Sequence, residues 1–278
     1  MQLIEARQEA AIQIPNETDD MVTMKNIHRD IYDAGYLQQL FDEMQGSYER
    51  VSTICSFGFN WRWRKQLISR LKLEAGMTVC DLMAGTGEIW KYVLPRIGQD
   101  GEIVALDFSE AMTCEAEKRK CRLENPRIHI LRDDVLTNCL PAASIDAVVC
   151  IYGVKTLSSE DQWRFVCEIR RLLKPGGIFG LVEISVPSWS PLRLVYLFYL
   201  SVVIPMIGKL ALGNPDNYRM LSTYMFRFRN CDRLRSLFIE QGFDVHAHSF
   251  FFGCATALTG NLPHTAIDSQ VPVDNLSA

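Results

Sequence analysis

Residues 79–87 read Val-Cys-Asp-Leu-Met-Ala-Gly-Thr-Gly, an apolar strand running into a glycine turn. Few local patterns narrow the choice of fold as sharply. A parallel sheet needs glycine where its first strand turns into a helix, because a Cβ there would keep a ligand off the backbone. The next apolar run ends on Asp107, 20 residues after Gly87. An acid at that strand tip can hold both hydroxyls of a ribose. Strand, turn and distant acid together point to a ligand carrying an adenosine-like ribose.

The rest of the pattern supports the same frame. Strands are expected at about 78–83, 102–107, 128–132, 145–151 and 178–184, with helices at about 87–96, 109–123 and 159–173 between them. That alternation implies an α/β fold of Rossmann-like type, a parallel sheet covered by helices on both faces. Upstream, Tyr36–Leu71 has helical spacing, broken by a loop at Ser56–Asn60. Lys174-Pro-Gly-Gly177 reads as a helix stop and turn into the fifth strand. A helix at 231–241 and two β-rich runs, 244–250 and 252–258, suggest a hairpin added antiparallel at the sheet edge. The domain expectation is an extension at 1–35, a catalytic domain at 36–260 with an apolar insertion at about 189–226, and a flexible polar tail at 261–278.

Composition removes several classes. Hydrophobic residues make up 48% and charged residues 22%, enough for a full core, and a net charge of −4 without a basic block argues against nucleic acid. The nine cysteines include no C-x-x-C, and Cys80 and Cys150 fall inside strand patterns, so a reduced, cytoplasmic setting is expected rather than a disulfide or zinc framework. The run Leu194–Ile207 is apolar but contains Pro205 and is shorter than the roughly 18 residues of a membrane span. It reads as a buried or interfacial helix. His246 and His248 share a strand face without a third ligand in view, so no metal is expected.

Two cofactor classes suit the turn. A dinucleotide wants G-x-G-x-x-G and a helix N-terminus facing pyrophosphate. Here Met83 stands where the first of those glycines belongs, and Asp81 and Glu88 would both repel a pyrophosphate. Those acids favour a cationic sulfonium cofactor bearing an amino group.

At this point the chain resembles the class I S-adenosylmethionine-dependent methyltransferases, and in particular the UbiE-type C-methyltransferases of ubiquinone and menaquinone biosynthesis. The resemblance covers about residues 40–260. It rests on Gly46-Ser-Tyr48-Glu, Ser56-Phe-Gly58, Trp61–Lys65, DLMAGTGE at 81–88 and DFSEAM at 107–112. YGVK at 152–155, LLKPGG at 172–177, VEIS at 182–185 and the stretch 202–221 also match. It implies a seven-stranded sheet, mostly parallel, with its last strand antiparallel, N-terminal helices and an apolar lid. It also implies that Asp81, Ala84, Gly85 and Gly87 line the methionine part of S-adenosyl-L-methionine. Asp107 would bind ribose, Met112 would pack near adenine, Asp134 would accept from the adenine amino group, and Val135 would offer backbone. Plainer roles stand beside these: Asp107 as a helix cap, Met112 as core, and Asp133 or Asp134 as a solvated loop acid.

A ring carbon is a weak nucleophile unless a nearby hydroxyl is deprotonated or strongly hydrogen-bonded, so a base or cation is expected at the acceptor. The family's ring-methylating members resemble one another in an Arg-Asn pair after strand four, where this chain has Lys155 and Thr156. Lys155, Tyr48 and Tyr152 are the candidate catalytic residues, and Tyr218 and Tyr224 the candidate acceptor contacts. The apolar insertion favours a lipophilic, aromatic, phenolic or natural-product acceptor. The quinone-ring C-methyltransferase proper is one alternative, and a non-methylating or pseudoenzyme use of the fold is another. Peripheral membrane contact and a homodimer are the remaining partner expectations.

Overall fold

A computed structural model describes residues 31–56, 58–187, 190–203 and 215–264. The chain divides into two units, Met1–Leu37 and Gln38–Ala278. In the first, Asp33 Oδ1 accepts from the Tyr36 N–H at 2.9 Å in the opening turn of helix α1 (Ala34–Cys55). Most of the expected extension and tail lie outside the described residues.

The larger unit is built on a seven-stranded sheet in the order β3-β2-β1-β4-β5-β7-β6. Its strands are β1 (Thr78–Leu82), β2 (Glu102–Asp107), β3 (Ile128–Arg132), β4 (Ile145–Ile151), β5 (Leu173–Ile184), β6 (Asp244–Phe250) and β7 (Ala255–Asn261). Strands β1 to β5 pair in parallel, and β7 runs antiparallel to both β5 and β6. This is the expected fold, closing hairpin included. The central strands are apolar runs because helices cover both faces: Val79, Leu82, Ala147 and Val149 are almost wholly inaccessible.

Helices α2 (Phe59–Arg70), α3 (Trp90–Ile97), α4 (Glu110–Leu123), α5 (Ser159–Leu172) and α8 (Asp232–Glu240) surround the sheet. In α2 the buried residues are Asn60, Trp63, Arg64, Leu67 and Ile68, one stripe at three- and four-residue spacing. One apolar cluster joins Ile68, Trp90, Val93, Ile97 and Ala116 to the sheet. Another joins Phe165, Val166, Phe179, Leu234 and Phe238, with the Phe179 and Phe238 rings stacked at 4.0 Å.

Gly58, at φ 76°, separates α1 from α2 inside the expected loop. Two details depart from the sequence expectation. Strand β5 starts at Leu173 and not near 178, because Leu173 pairs with Ile145 and the register shifts before Ala147. Strand β7 starts at Ala255 because Phe251 and Phe252 adopt left-handed φ values of 45° and 56° in the turn before it. Within the apolar insertion, α6 (Ser190–Phe198) continues as a wider turn over Tyr199–Val203, and α7 spans Pro215–Phe228. Residues 204–214 lie outside the described residues. Among the described residues, no helix is long and apolar enough to cross a membrane.

The strand order reverses between β1 and β4, and a sheet that reverses there opens a crevice at the carboxyl ends of those strands. The Gly85 turn, Asp107 and Tyr152 all follow strand ends on that edge.

Candidate active site

The turn after β1 holds three left-handed residues: Met83 at φ 56°, Gly85 at φ 55° and Gly87 at φ 74°. The two glycines are required for different reasons. A Cβ on Gly87 would fall 2.5 Å from the Trp90 ring, which is fully buried. A Cβ on Gly85 would meet nothing within 4 Å, so this position faces open space. Met83 adopts a conformation that costs a side-chain-bearing residue about 1–2 kcal/mol, and its thioether packs against Gly153.

Asp107 ends β2 with 7% of its surface exposed. Its Oδ2 accepts from the Gly85 N–H at 2.7 Å and its Oδ1 from the Ser109 N–H at 3.0 Å, which ties the ends of the first two strands together. Ser109, not Asp107, caps α4, accepting from the Met112 N–H at 3.2 Å. The carboxylate is thereby released from the capping role. Asp42 of α1 reaches the same point and accepts from the Ser109 hydroxyl at 2.5 Å. Burial pushes the Asp107 carboxyl up to about 6, opposed by its two backbone hydrogen bonds and reinforced by Asp42.

Asp81 lies deeper. Trp90 Nε1 donates to its Oδ2 at 3.0 Å, and burial pushes this carboxyl up to about 8, with Asp107 and Glu88 adding to the rise and Arg64 opposing it. Arg64, on the buried stripe of α2, forms an ion pair with Glu88, and the side chains are 5% and 12% exposed. The same guanidinium lies over the Tyr152 ring at 5.1 Å. Tyr152 is itself left-handed at φ 62° and donates its hydroxyl to the Asn60 carbonyl at 2.7 Å.

These groups border a cleft that is partly open to solvent. Met83, Ala84, Gly85 and Thr86 of the turn line it together with Asp107, Met112, Tyr152, Gly153 and Thr156, and Arg64 and Glu88 join them. Of the expected cofactor residues, Ala84, Gly85, Asp107 and Met112 therefore meet in one place. Asp81 and Gly87 stand behind the turn and hold Trp90. Asp134 follows β3, where its carboxylate accepts from the Leu136 N–H at 2.9 Å, and the Val135 side chain packs into the core.

The expected acceptor residues divide. Tyr152 lines the cleft. The Lys155 ammonium is turned inward, 3.0 Å from Glu183 Oε1, and it also donates to the Tyr152 carbonyl. Tyr224 is fully buried. Tyr48 and Tyr218 lie on α1 and α7, and their side chains fall outside the described residues. Sequence reasoning did not place Arg64 at this cleft or Asp42 beside Ser109. One available signal was Arg64 on the apolar stripe of its helix, where a charge implies a buried partner.

The residues fit S-adenosylmethionine. The open Gly85 position leaves room against the backbone, a buried acid ends β2 beside it, and the acids near the turn suit a cation and not a phosphate. Such a sheet and site define a class I S-adenosylmethionine-dependent methyltransferase. In agreement, a SAM-dependent methyltransferase of Thermotoga maritima superimposes with a TM-score of 0.55 at 18% identity, over 81% of this chain and 99% of that one. The signature of the ubiE/COQ5 methyltransferase family matches residues 28–261, and the chain belongs to that family. It is 29% identical to a demethylmenaquinone methyltransferase of Staphylococcus saprophyticus over 226 residues, 81% of this chain and 95% of the relative. It is 31% identical to one of Staphylococcus haemolyticus over 223 residues, 80% of this chain and 91% of the relative.

Proposed function

We propose that this methyltransferase acts on a ring carbon of a lipophilic hydroquinone-type acceptor. The observation that carries the reading is similarity, over 81% and 80% of this chain, to relatives named for demethylmenaquinone. The cleft supports it, continuing past β4 to Tyr152, Gly153 and Thr156. An exposed apolar surface on α6, formed by Leu194, Val195 and Phe198, suits approach of a lipophilic compound.

S-adenosylmethionine supplies an activated methyl group, so the protein's work is to orient the acceptor and exclude water. In this reading Asp107 holds the ribose, Met112 lies beside adenine, and Ala84, Gly85 and Gly87 shape the cradle. Asp81 belongs to the methionine side, and Asp134 and the Val135 backbone serve the adenine edge. Tyr152 positions the acceptor ring. Lys155 acts through Tyr152, whose carbonyl it holds, so its part is positioning. Tyr48, Tyr218 and Tyr224 are proposed for the acceptor side of the same region.

A second reading, a different phenolic or natural-product acceptor methylated at carbon or oxygen, is favoured by Lys155-Thr156 standing where ring-methylating relatives resemble one another in Arg-Asn. One assay separates the two. Purified protein is given S-adenosylmethionine and a reduced demethylmenaquinone analogue, and products are read by mass and by the site of the added methyl. A ring C-methyl product supports the first reading. No product from the quinol, with turnover on simple phenols, replaces it with the second.

A further inference from the structure

The cleft is rich in acids. Asp107 and Glu88 line it, and Asp81 stands in β1 just before the turn. Such a site attracts the sulfonium and ammonium of the cofactor but repels the carboxylate on the same amino-acid end. Among the described residues lining the cleft, Arg64 is the one cation. Its side chain is 5% exposed, and its Nε finds no hydrogen-bond acceptor even though the guanidinium is paired with Glu88. A guanidinium offers five N–H groups in a planar fork, and one carboxylate oxygen does not satisfy them. Arg64 and Glu88 also border a second cavity, lined by Thr53, Trp61, Lys91 and Tyr92. The pair is thus a partition reached from two sides.

We infer that Arg64 receives the carboxylate of the cofactor's amino-acid end, with Glu88 facing the neighbouring ammonium, so that the buried pair reads a zwitterion. The inference rests on S-adenosylmethionine as the cofactor. The Arg64–Glu88 contact in the unliganded protein is a stand-in: each charge meets the opposite charge that the ligand later supplies. Stacking of the guanidinium over Tyr152 fixes the plane of the fork.

Two ligands test this by calorimetry. S-adenosylhomocysteine carries the amino-acid end, and 5′-methylthioadenosine lacks it. Arg64→Met and Arg64→Lys are each expected to weaken S-adenosylhomocysteine about 10- to 100-fold, the range of a charge-assisted hydrogen bond. Affinity for 5′-methylthioadenosine is expected to stay within about twofold, because that range covers only the lost contact. The latter result also reports an intact fold. Unchanged S-adenosylhomocysteine affinity in Arg64→Lys overturns the assignment, and so does equal weakening of both ligands, which marks a structural role. A raised KM for the acceptor with cofactor affinity unchanged would assign Arg64 to the second cavity's side instead. If neither ligand binds the unaltered protein, the cofactor reading itself is what has failed.

Discussion

Lys155 and Glu183 form a buried ion pair at 3.0 Å, with side chains 4% and 0% exposed, beneath the loop that leaves the fourth strand. Glu183 also accepts the Lys155 backbone N–H at 3.2 Å, and the lysine donates to the Tyr152 carbonyl. The pair therefore holds the left-handed Tyr152 in place from below. The Lys155 ammonium thus points to Glu183 and supports Tyr152, a residue that lines the cleft.

Removing one partner leaves the other charge buried and uncompensated. Lys155→Met is expected to lower stability by about 3–5 kcal/mol, and Lys155→Met with Glu183→Leu to recover most of that loss. Urea denaturation of the single and double variants checks this. A single variant as stable as the parent would show that the pair is not buried as described.

The two turn glycines separate binding from stability. Gly85→Ala is expected to cost about 1–2 kcal/mol of strain and to abolish most cofactor affinity by filling the cradle. Gly87→Ala drives a methyl into the buried Trp90 ring and is expected to destabilise by roughly 2 kcal/mol or more. Thermal melting paired with S-adenosylhomocysteine titration tests the split. Equal losses in both readouts for both variants would contradict it.

Asp107→Ala is expected to reduce S-adenosylhomocysteine affinity at least about 100-fold, the range of lost hydrogen bonds to a charged acceptor. It also frees the Gly85 and Ser109 N–H groups, which costs about 1–3 kcal/mol in stability. Asp107→Asn keeps one acceptor and should fall between. Undiminished affinity in the alanine variant removes Asp107 from the site.

Acid–base linkage gives a further check. Asp81 and Asp107 sit at about 8 and about 6, above the ordinary carboxyl value of 3.8. Between 3.8 and those values the folded protein binds more protons than the unfolded chain. Their contribution is therefore fully present below pH 3.8 and is lost as pH rises through about 6 and then about 8. Cofactor-free stability should carry this downward component, flattened in Asp81→Asn. A cationic ligand favours the carboxylates, so affinity should rise over the same window with proton release. Calorimetry at pH 7 in buffers of different ionisation enthalpy reads the protons directly, and proton uptake would reverse the assignment.

How much of this was legible in the sequence follows from chain distance. The strands, the glycine turn and Asp107 are local signals, and the alternation of strands with helices was enough to expect a parallel sheet, whose strand order the structure supplies. The ion pairs were not legible, because Arg64 and Glu88 are 24 residues apart and Lys155 and Glu183 are 28. Nothing in either neighbourhood names the partner. Asp42 reaches Ser109 across 67 residues, which only the packing of α1 reveals. The position of Lys155 after a strand end was legible, but the direction of its side chain depended on Glu183, a residue visible beforehand only as part of a family match.

The most direct measurement is a crystal structure of the chain grown with S-adenosylhomocysteine. The ribose hydroxyls should lie within hydrogen-bonding reach of the Asp107 carboxylate, with adenine against Met112 and the amino-acid end running over Gly85. A saturating ligand found elsewhere, with the space above Gly85 still filled only by solvent, would contradict the account.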